Sequence, residues 1–401
     1  MRIAIVHSFY ASAVPSGENA AVELQVAALR RAGHEVHLLS RNTDAERGRN
    51  PRTYAARAAV NTLSIRGASS APDFSEINPD IIHVHNLHPN FGDTWIDGHR
   101  ARVVSTLHNY RPVCARGTLW RDGHDCFRCP ESTSLHALRH RCYHDSRIAT
   151  LPLAIASREH GRHSRVITQS AHNIVLNTGA LSIFRNYFPG TPFSVIPNFV
   201  ASPSFREIAP PPTTKFPRWL FAGRLSSEKG IQWLLEHWPP DTALLVAGDG
   251  PERPVVEEHA RRPGSLISYV GSLSRAELDA YMESVTGVII PSLWTEGLPT
   301  VALEAQACGT PVVISNKCAS ADQITRHGGG LQFDPTEGIR GLSGSMSQIA
   351  GSRGQFSRCA RQTFLDHFSE EVWVQRITAL YSDIRRRNER PTSADRLGGA
   401  P

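Results

Sequence analysis

No run of apolar residues in this sequence is long enough to cross a membrane, and no Asp-x-Asp motif stands at the end of a predicted strand. The first absence argues against an integral membrane protein, and residues 1–7 have the pattern of a strand rather than a signal peptide. The second argues against a metal ion that holds a diphosphate. Nucleic-acid binding is not expected, because the sequence lacks a recognition helix, an RNA-binding signature and an aromatic–basic platform.

Charge imbalance and cysteine content are also low. The 43 lysines and arginines against 37 acidic residues give a net charge of +6, a mild excess that suits anionic substrates or an anionic membrane face. The seven cysteines are unevenly spread and nothing implies secretion. We therefore expect a cytoplasmic protein, with the inner face of the cell membrane as its candidate contact. The length of 401 residues predicts two domains.

Short apolar runs alternate with longer amphipathic runs, which predicts parallel sheets covered by helices on both faces. In the first half, a helix is predicted over residues 20–33, and strands over residues 2–8, 35–41, 81–86, 102–108, 165–170 and 193–198. The alternation restarts at Trp219, with strands over residues 219–223, 243–248, 266–271, 287–292, 311–315 and 330–333. The predicted fold class is therefore α/β, with two doubly wound, Rossmann-like domains that face a cleft.

The restart also predicts how the chain is divided. The expected parts, in order, are an N-terminal domain (1–200) with a cysteine-rich insertion (about 110–145), a proline-rich linker (201–217), a second domain (218–365), an amphipathic C-terminal helix (366–388) and a disordered tail (389–401). Ligands of such domains lie beyond the carboxyl ends of the strands, so the cleft is where we expect the site.

Two glutamates eight positions apart, Glu296 and Glu304, are the first candidate site residues. They lie in PSLWTEGLPTVALEAQACGTPVV, where a strand ends in a short loop and Thr300 can cap a helix that holds Glu304 just past its first turn. A helix N-terminus suits a phosphate, and a carboxylate one turn further in suits a ribose diol. The pattern indicates a nucleotide-linked ligand.

A second candidate pair, Arg224 and Lys229, follows the first strand of the second domain. The loop after RWLFAG carries Arg224, and a helix opens near residues 226–229, where Ser226 or Ser227 can cap it. A planar guanidinium and a mobile ammonium so close in sequence can hold a diphosphate. They can also offset the negative charge that grows on it as a leaving group departs.

These motifs resemble the donor-binding half of the retaining glycosyltransferases of family 4. Across roughly residues 215–335 the resemblance is carried by AGRLSSEKG, ALLVAGDGPE, SYVGSLSRAELDAYM and the two glutamates. In the first half, MRIAIVHS, PSGENAAVELQVAALRRAGHEVHLLSR and IIHVHNLHP resemble the same family. The SGEN loop and LHNYRPVCARGTLWRDGHDCFRCP are similar to members that build bacterial surface polysaccharides.

The resemblance implies the GT-B fold, with an acceptor-side N-terminal domain and a final helix that crosses back onto it. The implied activity is transfer of a hexose from a nucleotide-sugar donor to a glycan or lipid-linked saccharide acceptor, with retention of configuration and no cofactor for catalysis. Arg224 and Lys229 would hold the diphosphate, Glu296 the sugar hydroxyls and Glu304 the ribose. The other donor-binding residues implied are Gly17, Gly223, Gly248, Gly297, Leu298, Pro299 and Thr300.

The resemblance also implies that His108, which follows RVVSTL, touches the donor sugar and belongs to the catalytic set; His85 is a candidate for the acceptor pocket. A double displacement needs a carboxylate nucleophile opposite the leaving group. The resemblance implies instead that Glu296 binds the hydroxyl groups of the transferred sugar. We therefore expect a front-face route in which the leaving-group oxygen accepts the acceptor's proton, with Arg224 and Lys229 stabilising its charge.

The insertion holds four cysteines within 29 residues: Cys114, Cys126, Cys129 and Cys142. The spacing Cys126-x2-Cys129 is chelating, and four thiolates can enclose a structural zinc ion. The flanking distances are not diagnostic, so unlinked reduced cysteines and disulfides remain as alternatives. The arginines nearby make the insertion a candidate for peripheral contact with a lipid diphosphate or an anionic membrane; a solvated basic loop is the alternative.

Two other functions fit the same scaffold. A nucleotide-sugar epimerase would share the fold but would not require this set of two cations and two glutamates. A non-catalytic scaffold would bind a nucleotide sugar and recruit partners through the insertion, and the retained cations and glutamates argue against it. A phosphorylase would need a lysine site for pyridoxal phosphate, and the sequence shows none.

Overall fold

A computed structural model describes residues 1–12, 16–202 and 218–389. Its strands are β1 (Arg2–Phe9), β2 (Glu35–Asn42), β3 (Ile81–Asn86), β4 (Val103–Leu107), β5 (Trp120–Arg121), β6 (His124–Asp125), β7 (His172–Val175), β8 (Phe193–Val195), β9 (Arg218–Ala222), β10 (Ala243–Ala247), β11 (Ile267–Gly271), β12 (Gly287–Ile290), β13 (Val312–Ser315) and β14 (Gly330–Phe333).

The α-helices of the first part are α1 (Gly17–Arg31), α2 (Thr43–Arg49), α3 (Tyr54–Thr62), α4 (Arg128–Glu131), α5 (Leu135–Arg139), α6 (Arg147–Ala156), α7 (Arg165–Thr168) and α8 (Thr178–Tyr187). Those that follow are α9 (Ile231–Glu236), α10 (Arg253–Arg261), α11 (Arg275–Ser284), α12 (Thr300–Ala307), α13 (Ala321–Thr325), α14 (Ile339–Gly351), α15 (Arg353–His367) and α16 (Glu370–Glu389). No helix among the described residues combines the length and apolarity that crossing a bilayer takes.

Twelve of these strands form two parallel six-stranded sheets. The first has the order β2-β1-β3-β4-β7-β8 and the second has the order β11-β10-β9-β12-β13-β14. The prediction of two doubly wound α/β domains is confirmed. In each sheet the chain reverses its direction of progress beside the first strand, between β1 and β3 and between β9 and β12. A crevice opens at such a reversal, beyond the carboxyl ends of the strands.

Alternation within the strands explains why helices cover both faces. In β1, Ile3 and Ile5 pack into one apolar cluster, whereas Ala4 and Val6 pack into another. Because successive side chains of a strand point to opposite faces, a strand that is apolar at every position must be covered twice. The strand β9 behaves in the same way, with its side chains divided between the two clusters of the second domain.

The last helix, α16, completes the core of the first domain rather than the second. Its buried side chains Trp373, Ile377 and Tyr381 belong to the apolar cluster that also contains Ile3 of β1. The Tyr381 hydroxyl lies 2.6 Å from Nδ1 of His83 in β3. The chain therefore leaves the first domain, builds the second and returns.

One strand prediction in the first domain is wrong. Residues 165–170 were predicted to form a strand but begin with helix α7, and the strand of this region is β7, at 172–175. A helical turn buries only Ile167 and lets Arg165 reach both Asp93 and Asp97. Of the predicted linker and tail, only Ala201, Ser202 and Glu389 lie within the described residues.

Candidate active site

The loops after β9 and β12 meet at the reversal point of the second sheet. The Leu293 amide donates to the carbonyl oxygen of Glu228 at 3.0 Å, which ties the two loops together. Gly230 has a φ of +73°, and a Cβ at that position would overlap the carbonyl oxygen of Pro291. Glycine is therefore required here. This close approach brings Lys229, the residue before it, to the loop that carries Glu296.

Lys229 and Glu296 form an ion pair between Nζ and Oε1. The Ser292 hydroxyl donates to the other carboxylate oxygen, Oε2. Glu296 is only 6% exposed, so these bonds compensate for its lost hydration. The Lys229 ammonium also lies 6.0 Å from the ring centre of Trp294. An ammonium has three N–H donors, so Lys229 keeps donors for a ligand while it orients Glu296.

The N-terminus of α12 lies beside this pair and faces the first domain. Buried Pro299 precedes the helix, and Thr300 is its first residue rather than its cap, so the capping prediction is wrong. A Cβ on Gly17 would lie 3.7 Å from Cγ2 of Thr300. Asn177 Nδ2 donates to the carbonyl oxygen of Gly297 at 2.6 Å. The starts of α1 and α12 are therefore neighbours across the cleft.

The side chains of Leu298 and Ser226 make contacts within the second domain that support its structure. Leu298 is partly buried and packs against the apolar core of the second domain. The Ser226 hydroxyl donates to Glu228 at 2.7 Å and does not cap the turn that follows it, so that capping prediction is also wrong. The turn is a short 3-10 helix over Ser227–Lys229, and α9 starts only after Gly230.

Glu304 lies one turn into α12 and is held by an arginine that sequence reasoning missed. Arg275 Nη1 lies 2.6 Å from Glu304 Oε1. Burial raises the pKa of Glu304, and the guanidinium of Arg275 acts against that rise. Arg275 is the first residue of α11, which opens with a capping box between Ser274 and Glu277. The capping box is visible in the sequence, but the arginine's partner depends on how α11 packs against α12.

Gly223, Arg224 and Gly248 lie at the ends of β9 and β10. Gly248 has a φ of +127°, and a Cβ there would overlap the carbonyl oxygen of Gly223. Packing of the two loops therefore explains Gly248, whereas a Cβ on Gly223 would meet only Cζ of Phe221, at 4.0 Å. Contact of either glycine with a donor stays a prediction. Arg224 is exposed in the first of these loops, at the edge of the cleft.

Histidines of β1, β3 and the loop after β4 form a cluster in the first domain, in which the rings of His7, His83 and His108 each lie near that of His85. Nδ1 of His85 lies 2.9 Å from Nε2 of His108. Burial lowers the pKa of His108 to about 3, that of His83 to about 3 and that of His7 to about 4. All three are therefore neutral at physiological pH. A neutral His108 is suited to position a sugar by hydrogen bonds.

A buried carboxyl group, Glu18, lies next to Gly17 at the start of α1. The Tyr10 hydroxyl and Asn109 Nδ2 lie 3.3 and 3.4 Å from its Oε2, and its Oε1 is buried without a hydrogen-bond partner. Burial raises the pKa of Glu18 to about 7, although the Arg111 guanidinium acts in the opposite direction. Sequence reasoning treated Glu18 only as part of the SGEN pattern, since burial of the loop cannot be read from four letters.

The cysteine-rich insertion reaches the second domain, where the Thr295 hydroxyl donates to Asp125 Oδ1 at 2.8 Å. All seven cysteines are unbridged. Burial raises the pKa of Cys129 to about 12, and the thiols of its three neighbours in the motif add to that rise. In the described ranges no group of three or more histidine, cysteine or acidic side chains has the arrangement of a metal site. The zinc site at Cys114, Cys126, Cys129 and Cys142 stays a prediction.

Metal analysis of the purified protein tests that prediction directly. If four thiolates enclose zinc, protein washed with a weak chelator should retain about one zinc ion per chain. Replacement of Cys126 and Cys129 by serine should abolish this, whereas replacement of Cys359, which lies outside the insertion, should not. Wild-type protein without bound zinc would leave reduced, unlinked cysteines as the correct alternative.

Comparisons with known proteins agree with this geometry. Residues 205–358 match the family model described as Glycosyl transferases group 1. Over 424 residues the chain is 26% identical to glycogen synthase of Mycobacterium tuberculosis (strain ATCC 25618 / H37Rv), and the match covers 98% of this chain and 97% of that protein.

Two solved structures resemble the whole chain. Sucrose-phosphate synthase (tll1590) from Thermosynechococcus elongatus superposes with a TM-score of 0.63 at 17% identity, over 96% of this chain and 99% of that one. Anabaena Alr3699/HepE in complex with UDP superposes with a TM-score of 0.59 at 16% identity, over 96% and 100%. The fold is thus the predicted GT-B arrangement. Taken together, the family match and the relatives support a glycosyltransferase of group 1.

Proposed function

We propose that this protein is a retaining glycosyltransferase that acts in the cytoplasm on polysaccharide synthesis. It transfers a sugar from a nucleotide-sugar donor to a glycan or lipid-linked acceptor, and it uses no catalytic metal. The ion pair between Lys229 and Glu296 carries the proposal. It joins a cation that can face a diphosphate to a carboxylate that can face a sugar, at the reversal point of the sheet and beside a helix N-terminus.

The donor site follows from this pair. Lys229, Arg224 and the N-terminus of α12 hold the diphosphate, in line with the UDP bound by the HepE neighbour. Arg275 engages one oxygen of Glu304, so the other oxygen is oriented to accept a hydrogen bond from a ribose hydroxyl. Gly17 lets the start of α1 approach the diphosphate or sugar from the opposite domain.

The contacts of Glu296 favour the front-face route. Both of its oxygens already accept hydrogen bonds, one from Lys229 and one from Ser292, so the carboxylate is suited to grip hydroxyls rather than to attack carbon. In this route the bond from the anomeric carbon to the diphosphate oxygen breaks. The acceptor oxygen then bonds to the same face of that carbon. The acceptor's proton passes to the departing diphosphate, whose charge Lys229 and Arg224 stabilise.

Release of nucleoside diphosphate from a panel of UDP-, GDP- and ADP-sugars tests the proposal. Purified protein with EDTA present should release the diphosphate from at least one donor, by hydrolysis or by transfer to an added oligosaccharide. NMR of the transferred or released sugar should show the anomeric configuration of the donor at first turnover. Formation of an epimeric nucleotide sugar without release would indicate an epimerase. Binding without turnover, across donors and acceptors, would indicate a scaffold.

A further inference from the structure

A cavity of about 500 Å³ lies in the first domain, beyond the ends of β3 and β4. His85 and His108 form part of its wall, so it adjoins the cleft. A Cβ on Gly297 of the second domain would lie 3.9 Å from the carbonyl oxygen of His108. A molecule in this cavity would therefore reach the neighbourhood of Glu296 from the side of the first domain.

Unused polar groups in the cavity wall suit a phosphate and a sugar. Nε2 of His85 and Nε of Arg111 are buried there without hydrogen-bond partners. Arg165 is paired with acidic side chains, but no carboxylate of the described chain pairs with Arg158, which also lines the cavity. Arg158 thus supplies an uncompensated positive charge, the feature that recognises a phosphate group.

An exposed apolar stripe on α6 leads to the same cavity. Ile148, Leu151 and Ile155 are 86%, 45% and 36% exposed. Their spacing of three and four residues places them on one face of the helix. Ile155 also lines the cavity, together with Ser64 and Arg66, which follow α3, a helix that packs beside α6. This face has the make-up of an interfacial helix, with aliphatic side chains that the fold leaves exposed.

The charge around the stripe is positive. Residues 135–163 include five exposed arginines but only two exposed acidic residues, Asp145 and Glu159. The carboxylate of Glu159 lies 3.1 Å from Nε2 of His163. The arginines are Arg139, Arg141, Arg147, Arg158 and Arg162. Aliphatic side chains that enter the acyl boundary, with arginines level with the headgroups, describe an element that binds anionic membrane surfaces.

We propose that the stripe of Ile148, Leu151 and Ile155 docks on an anionic lipid bilayer and that the cavity takes its acceptor from that bilayer as a phosphate-bearing lipid. The lipid's phosphate pairs with Arg158 at the rim, its chain stays in the membrane beside Ile155, and its terminal group extends past His85 and His108 to the donor sugar. This inference rests on the proposed function, because it names the acceptor class of that reaction.

Vesicle co-sedimentation tests the docking surface. Wild-type protein should bind mixed phosphatidylcholine–phosphatidylglycerol vesicles and not vesicles of phosphatidylcholine alone. The variant Ile148→Glu/Leu151→Glu should bind at least about tenfold more weakly. The matched control is Leu266→Glu/Leu365→Glu, two exposed leucines of the second domain, which should bind as wild type does. Equal binding by both double variants, or none by wild type, would overturn the docking surface.

Farnesyl diphosphate and inorganic pyrophosphate test the cavity by isothermal titration. Farnesyl diphosphate should bind at least about tenfold more tightly than pyrophosphate, because its chain adds apolar contact. Arg158→Glu should remove that binding, whereas Lys229→Ala, which alters only the donor side, should keep it. Equal binding of the two ligands would overturn the lipid source. Loss in Lys229→Ala but not in Arg158→Glu would place the ligand in the donor site instead.

Binding of nucleotide sugars, followed by thermal shift, separates this inference from the proposed function. Ile148→Glu/Leu151→Glu and Arg158→Glu, which alter no residue of the donor site, should keep the shift that wild-type protein shows with its donor. A wild-type protein that binds vesicles and farnesyl diphosphate but no nucleotide sugar would refute the proposed function and leave the docking surface standing. A protein that turns over its donor but ignores both lipid probes would refute only the present inference.

Discussion

Lys229→Ala should lower kcat about 10²–10³-fold, the effect of removing one well-placed donor to a developing negative charge. The side chain engages Glu296. In the proposed mechanism its other N–H groups bind the diphosphate, whose charge grows as the glycosidic bond breaks. Affinity for the intact donor should fall less than about tenfold, since Arg224 and the start of α12 still face the diphosphate. Steady-state kinetics and titration of the donor measure the two effects.

Arg261→Ala is the charge-matched control, because it removes an exposed cation from the same domain at the end of α10. Lys229→Ala also leaves the buried Glu296 carboxylate without its cation, so thermal midpoints should be measured for every variant. The double variant Lys229→Ala/Glu296→Gln should recover stability without recovering turnover. Equal losses in kcat and donor affinity would show that Lys229 serves binding alone.

Compared with wild type, the free energy of unfolding of Glu18→Gln should increase as the pH rises. Burial raises the folded-state pKa of Glu18 from 4.5 to about 7, so between these values the folded protein holds a proton that the unfolded chain has released. This stabilisation is fully present below pH 4.5 and is lost as the pH rises through about 7. At roughly 1.4 kcal/mol for each pH unit, the loss approaches ~3 kcal/mol. An amide at this position cannot ionise, so Glu18→Gln should not show this loss of stability.

Urea unfolding at a series of pH values from ~5 to ~8 measures this difference. The free energy of unfolding of Glu18→Gln minus that of wild type should grow by about 2–3 kcal/mol across the series. Glu23→Gln removes an exposed carboxylate from the same helix and is the matched control. A difference for Glu18→Gln that stays constant with pH would mean that the carboxyl is already ionised throughout.

Regular alternation made the two sheets predictable. Each strand of the second sheet overlaps its predicted range, because apolar runs bounded by glycine or proline leave few alternatives. The strand prediction for residues 165–170 failed for a reason that cannot be read from the local sequence. RVITQS has the composition of a strand, yet Arg165 is held by Asp93 and Asp97, more than sixty positions earlier, and a helical turn allows that contact.

The candidate site shows the same limit. The motif predicted that Lys229 and Glu296 share a site, and the structure joins them in an ion pair. The motif could not predict that Arg275 forms an ion pair with Glu304, because that contact depends on how α11 packs against α12. Local spacing therefore brings out the side chains that we propose carry the chemistry. The groups that orient them come from other elements and become visible only after folding.

The return of α16 to the first domain decides where this chain can be recombined with another. Trp373, Ile377 and Tyr381 pack into the same apolar core as β1 and β3. The first domain therefore lacks part of its core when α16 is absent. A chimera joined once near residue 200 would pair this domain with a foreign closing helix. Two crossover points are needed instead, and the second must fall between α15 and α16, so that the second domain is exchanged as an internal cassette.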